Sequence, residues 1–149
     1  MVTEFLKIRI KEIMQKRKLP IVERTTPIAD VLPFPMGRSH AWVIENKRNK
    51  KVVGVITEHD ILNILSPRKV PYTFGLPDMR VLHKGTAEDI MIRGVIKCSP
   101  EETIEDALDK MTRHGMRRCP VTDENDIIVG EIHMKHIINK FSEITKRKR

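Results

Sequence analysis

The sequence predicts an α+β protein built from two β-α-β-β-α repeats packed with pseudo-two-fold symmetry. Three observations carry this. The chain of 149 residues writes the same pattern twice, RKLPIVERTTPIADVL (17–32) against RGVIKCSPEETIEDAL (93–108) and AWVIENKRNKKVVGVI (41–56) against CPVTDENDIIVGEI (119–132). Each copy alternates short β-branched runs with amphipathic stretches, the periodicities of strands and surface helices. One unit of this size buries little apolar surface alone, so two copies are expected to pack sheet to sheet and leave equivalent clefts.

Each copy opens on a short helix, with Glu12-Ile13-Met14 matching Asp89-Ile90-Met91. A short strand follows, Ile21-Val22 in the first copy and Val95 to Cys98 in the second. The middle helix of the second copy is expected to start at Ser99-Pro100-Glu101-Glu102. Ser, Pro and Glu at those spacings form a capping box. The first copy has Pro33 and Pro35 in the corresponding helix, which should cut it short, because proline removes an amide donor and clashes with the preceding turn. Two strands around a polar turn then form a hairpin, NKRNKK in one copy and DENDI in the other. A last amphipathic helix carries HDILNIL or KHIINKF. The repeats are placed at 8–66 and 87–142, with a packed linker over 67–86 that includes Tyr72, Phe74 and Leu76, and a basic tail over 143–149.

Composition narrows the function. Apolar residues make up 40% and charged residues 32%, as in a soluble folded domain. No apolar run is long enough for a membrane span, and the N-terminus lacks the apolar core of a secretory signal, so a cytoplasmic location is expected. Cys98 and Cys119 are too few for a disulfide framework. A net charge of +8 favours anionic partners. No nucleophile elbow, Walker loop, dinucleotide glycine fingerprint or HExxH motif is present, which argues against an enzyme and against an obligatory cofactor. The basic clusters at 47–51 and 146–149 leave a nucleic-acid-associating or scaffolding dimer as the alternative, but aromatics are only 4% of residues, a poor platform for stacking bases.

The stretch GVITEHD (54–60) concentrates the chemistry. Thr57 at a helix start with Asp60 three residues on is a cap pair. The same geometry offers free amides and a positive dipole end to phosphate, and a carboxylate that can accept ribose hydroxyl protons. At the equivalent place GEIHMKH (130–136) carries His133 and His136.

The Gly-apolar-apolar-Thr-x-x-Asp ending of the first hairpin resembles the motif of cystathionine-β-synthase (CBS) domains. EDIM before SPEETIEDAL, and RRCPVTDENDIIVG, resemble the same family, and the likeness covers residues near 8 to 141. A CBS pair, or Bateman module, implies a regulatory module that binds an adenosine-containing ligand (AMP, ADP, ATP or S-adenosylmethionine) in a cleft between its repeats. It also implies a homodimer that signals to a protein target. Carried over by position, the resemblance assigns Thr57 and Asp60 to ribose and phosphate, Val55 to the base and His40 to phosphate. From the second copy it assigns Ile96 and Pro120 to adenine, and Arg117 and Arg118 to phosphate. His133, His136 and Glu131 depart from the pattern. A neutral imidazole has one acceptor and an imidazolium none, so neither histidine can replace the aspartate. The second site is expected to be degenerate, to hold an anion in a pH-dependent way, or to bind a metal with Cys98 or Cys119 close by.

Overall fold

The computed structural model describes residues 2–66 and 84–147. In chain order its elements are α1 (Val2–Leu6), β1 (Ile21–Glu23), α2 (Ile28–Val31), β2 (His40–Ile44), β3 (Val52–Thr57), α3 (Glu58–Leu65), α4 (Ala87–Ile90), α5 (Ile104–His114), β4 (Arg118–Thr122), β5 (Ile128–His133) and α6 (Met134–Arg147), with 3-10 turns at Ile10–Glu12 and Pro35–Gly37. The expected α+β class holds. Tyr72, Phe74 and Leu76 lie outside the described residues.

Two compact units form, and they do not follow the sequence repeats. One comprises Met1–Leu19 with Ile96–Arg149, the other Pro20–Val95. The segment that opens each copy therefore folds with the body of the other. In the unit containing β1 to β3, the first strand pairs parallel to β2 and β2 antiparallel to β3. Val55 of β3 exchanges both backbone hydrogen bonds with Ile92, at 3.1 and 2.9 Å. In the other unit β4 and β5 form an antiparallel hairpin, Cys98 bridges Val121 in parallel, and Glu131 exchanges both bonds with Gln15 at 2.9 and 2.8 Å. The matched segments 12–14 and 89–91 thus sit in the same structural place, each beside the hairpin of the opposite copy.

Period-two alternation sorts each hairpin into two faces. Ala41, Val43 and Ile56 pack with Val22, Val31, Ile61, Ala87 and Met91 into one apolar cluster. Cys119, Val121 and Ile132 pack with Phe5, Ile10, Ile104, Ala107, Met111 and Ile137 into the other. Both hairpins turn on a side-chain acceptor. Asn46 Oδ1 accepts from the Arg48 and Asn49 amides (2.9 and 3.0 Å), and Asp123 Oδ1 from the Asn125 and Ile127 amides (2.8 and 3.1 Å). These are Asx turns, for which Asn and Asp are suited. The basic cluster at 47–51 is therefore the tip of a structured turn.

Three local expectations meet the structure differently. Helix α2 does stop after four residues, followed by a cis Leu32–Pro33 bond and the Pro35–Gly37 turn. The capping box expected at Ser99 is displaced. Helix α5 starts four residues later, where Thr103 Oγ1 accepts from the Asp106 amide (3.3 Å) and Asp106 Oδ2 from the Thr103 amide (3.0 Å). Ser99 and Glu102 make only half of a box, Ser99 N–H to Glu102 Oε1 at 2.7 Å. The carbonyls of Pro100 and Glu102 accept instead from the Lys11 and Ile10 amides, at 3.0 and 2.8 Å, so this stretch pairs with the N-terminal segment rather than propagating a helix. Of the basic tail expected over 143–149, residues 143–147 continue α6 to its end, with a Glu143–Arg147 ion pair at 2.9 Å.

Candidate functional site

On the face of β2 and β3 turned away from its apolar cluster lie His40, Trp42, Val55 and Thr57, because His40 pairs with Thr57 and Trp42 with Val55. His40 is buried, and its ring stands edge-on to Trp42 with centroids 5.2 Å apart. Thr57 ends β3 and caps α3. Its backbone amide donates to Asp60 Oδ2 at 2.7 Å, and its hydroxyl donates to the same oxygen at 3.0 Å. Both cap contacts use one carboxylate oxygen, so Oδ1 is not part of the cap. Thr57 and Asp60 are each half-buried at the edge of the sheet. A half-exposed carboxylate and a hydroxyl thus stand at the N-terminus of an eight-residue helix, where the dipole favours anions.

The second hairpin presents the same face with different chemistry. Arg118 pairs with His133 and Pro120 with Glu131. By register Arg118 stands where His40 does, Pro120 where Trp42 does, Glu131 where Val55 does and His133 where Thr57 does. Arg117 is exposed, Arg118 half-buried, and Pro120 and Glu131 buried. The Ile96 carbonyl accepts from the Cys119 thiol at 3.1 Å.

The two histidines do what threonine and aspartate do in the first copy. His136 Nδ1 accepts from the His133 amide at 2.9 Å, the bond Asp60 makes to Thr57. His133 Nδ1 accepts from the Lys135 amide at 3.0 Å. An imidazole cap works only while Nδ1 is unprotonated. Burial, then the charges of Arg118, Lys135 and His136, hold His133 below the usual histidine range, with Glu131 opposing. The folded state therefore favours neutral His133. Its contribution is fully present above the unfolded value of about 6.5 and is lost as pH falls through the lowered folded value. Acidification from neutral pH to pH near 5 should cost about 1 kcal/mol, the usual worth of a cap. Urea midpoints across that range check this. The double variant His133→Thr, His136→Asp should remove that dependence, and an unchanged pH profile in the variant would contradict the cap role.

The metal alternative for this helix start lacks its extra ligands. Cys119 pairs with Ile132 on the opposite face of the hairpin, inside the apolar cluster, and Cys98 packs there too. Among the described residues no group of three or more His, Cys, Asp or Glu side chains could hold a metal.

Trp42 is the residue of this face that sequence reading passed over. The signal was its place two residues after His40 in one strand, opposite Val55.

The sequence profile described as "CBS domain" matches residues 10–67 and 87–143. This chain belongs to the CBS domain family. Among curated relatives, the CBS pair is 23% identical over 145 residues to homoserine O-acetyltransferase of Methanosphaera stadtmanae, covering 95% of this chain and 26% of that protein. It is 24% identical over 122 residues to 5'-AMP-activated protein kinase subunit gamma-3 of Sus scrofa, covering 82% of this chain and 23% of that subunit. The chain thus spans about a quarter of the length of these relatives. Among solved structures, CBSX2 of Arabidopsis thaliana superposes with a TM-score of 0.73 at 18% identity, covering 93% of this chain and 97% of that one. CBSX2 has also been solved in complex with AMP. The CBS domain pair of protein MJ0100, solved with 5'-methylthioadenosine and S-adenosyl-L-methionine, superposes with a TM-score of 0.65 at 21% identity, covering 91% and 96%. Among the described residues, no helix of this CBS pair is long and apolar enough to cross a membrane.

Proposed function

We propose that this CBS pair is a non-catalytic sensor that binds one adenosine-containing ligand at the Thr57–Asp60 helix start and signals its occupancy to a partner. The observation that carries this is the inequality of two otherwise matched helix starts. One offers a carboxylate with an oxygen its cap does not use. The other offers imidazoles whose acceptor nitrogens are already engaged in capping. Asp60 accepts the ribose hydroxyls, Thr57 and the α3 amides meet sugar or phosphate, and Val55 packs on the base. Ile96, Pro120, Arg117 and Arg118 remain the contacts assigned from the second repeat, and His40 that of the first. The solved complexes of CBSX2 with AMP and of MJ0100 with S-adenosyl-L-methionine and methylthioadenosine support the ligand class. Arginine suits phosphate because its planar fork of donors matches phosphate oxygens.

The test uses Trp42, the one tryptophan of the chain, as an internal reporter on the same sheet face. Titration with AMP, ADP, ATP and S-adenosylmethionine should change its fluorescence saturably for at least one ligand. Silence toward all four, in fluorescence and in calorimetry, with the protein folded, would remove the sensor reading.

The partner surface is proposed to include a second copy of the chain. Helix α6 exposes Met134, Ile138 and Phe141, and α3 exposes Leu62 and Leu65 at the positions equivalent to the last two. An apolar stripe at helical spacing is suited to covering by another helix. Sedimentation should give a dimer that Ile138→Glu dissociates. A wild-type monomer at micromolar concentration would contradict this.

A further inference from the structure

We propose that Cys98 and Cys119 are a redox pair that closes an intramolecular disulfide on oxidation by a peroxide. Their sulfurs stand 3.2 Å apart in the reduced protein, in contact though unbonded. The backbone fixes this approach. The Cys98 amide donates to the Pro120 carbonyl at 3.0 Å and the Thr122 amide to the Cys98 carbonyl at 2.9 Å, a parallel pairing that sets Cys98 opposite Val121 and diagonal to Cys119 on the same face of β4.

Three further features favour chemistry over inert packing. Cys98 borders a recess of about 360 Å³ whose other walls include Lys97, Ser99, Glu102 and Thr122. The Lys110 ammonium stands close enough to favour a Cys98 thiolate and is itself fixed by the Lys97 carbonyl (2.7 Å) and Glu102 (2.8 Å). The Cys119 thiol, in contrast, is turned to the Ile96 carbonyl. Burial pushes the Cys119 thiol up. Cys98, at the recess and beside the fixed Lys110, is the attacking sulfur and Cys119 the resolving one.

The step balances with hydrogen peroxide as oxidant. The Cys98 thiolate attacks one peroxide oxygen, the O–O bond breaks, and the departing oxygen leaves as water after taking up the Cys98 proton, giving a sulfenic acid. The Cys119 sulfur then attacks Cys98 Sγ and the S–S bond forms. The sulfenic hydroxyl leaves with the Cys119 proton as a second water. Two electrons pass from the thiol pair to one peroxide. The bridge would link residues 96–98 to β4 and withdraw the thiol that now donates to the Ile96 carbonyl.

The experiment treats the full-length reduced protein with hydrogen peroxide, quenches, unfolds in denaturant and labels with a maleimide, reading intact mass. The expected result is loss of both labels with a mass lower by two hydrogens, reversed by dithiothreitol. Cys119→Ser should instead accumulate oxygen on Cys98. Both thiols still labelling after peroxide, oxygen added to the wild type without bridge formation, or a bridge between two chains would each overturn the proposal. The wild-type mass decides the matter even if the serine variant does not fold.

Discussion

Asp60→Ala is expected to weaken adenosine-ligand binding about 10- to 100-fold. Hydrogen bonds to a charged group contribute about 1.5–3 kcal/mol, and each 1.4 kcal/mol is about tenfold in affinity. The fold should lose much less. Asp60 Oδ2 caps the Thr57 amide and hydroxyl, and removing such a cap costs about 1 kcal/mol. The two effects separate in one comparison. His136→Ala, which removes the equivalent cap on the other hairpin, should destabilise the protein to a similar extent and leave affinity unchanged. Equal loss of affinity in both variants would mean that Asp60 acts through the fold alone. Unchanged affinity in Asp60→Ala would place the ribose elsewhere.

The second large effect concerns the glycine that opens each motif. A methyl group on Gly54 would stand 2.4 Å from Met91 Sδ, 2.7 Å from its Cγ and 3.0 Å from the Ile92 carbonyl oxygen. On Gly130 it would stand 2.6 Å from Met14 Sδ and 2.9 Å from the Gln15 carbonyl oxygen. The methionine ends can swing aside. The carbonyls cannot move cheaply, because each accepts a hydrogen bond from the residue after the glycine, Val55 at 3.1 Å or Glu131 at 2.9 Å. Gly54→Ala and Gly130→Ala should each cost about 1–3 kcal/mol, the usual penalty for overpacking. Urea midpoints measure this, and Gly54→Ala should cost less in a Met91→Ala background than in the wild type, because the two side chains compete for the same space. Wild-type stability in both alanine variants would mean that the crossing segments are not packed as described.

That pairing also explains what a single sequence could and could not reveal. The repeat, the two hairpins, the proline-shortened α2 and the Thr57–Asp60 cap were legible because each rests on local chemistry or direct self-similarity. Which body each opening segment joins was not. Glu12-Ile13-Met14 and Asp89-Ile90-Met91 are nearly interchangeable, so self-similarity says that both exist and nothing about which hairpin each one crosses. Ser99-Pro100-Glu101-Glu102 reads locally as a helix start, but its carbonyls are claimed by Lys11 and Ile10 from the far end of the chain. His133 and His136 were read as unable to replace the aspartate, from acceptor capacity alone. That imidazole nitrogens can themselves cap the helix became visible only with Nδ1 placed against an amide. Val55, Thr57 and His40 were singled out by position in the family pattern, and the strand register puts them on one face, to which it adds Trp42.

The most direct measurement of the central claim is the stoichiometry of ligand binding. Isothermal titration of the purified CBS pair with the adenosine ligand that perturbs Trp42 should saturate at one ligand per chain, because of the two helix starts that end the hairpins, Thr57–Asp60 offers a carboxylate oxygen beyond its own cap and His133–His136 offers none. Saturation at two ligands per chain would show that the His133–His136 half binds adenosine as well and would contradict the inequality on which the account rests.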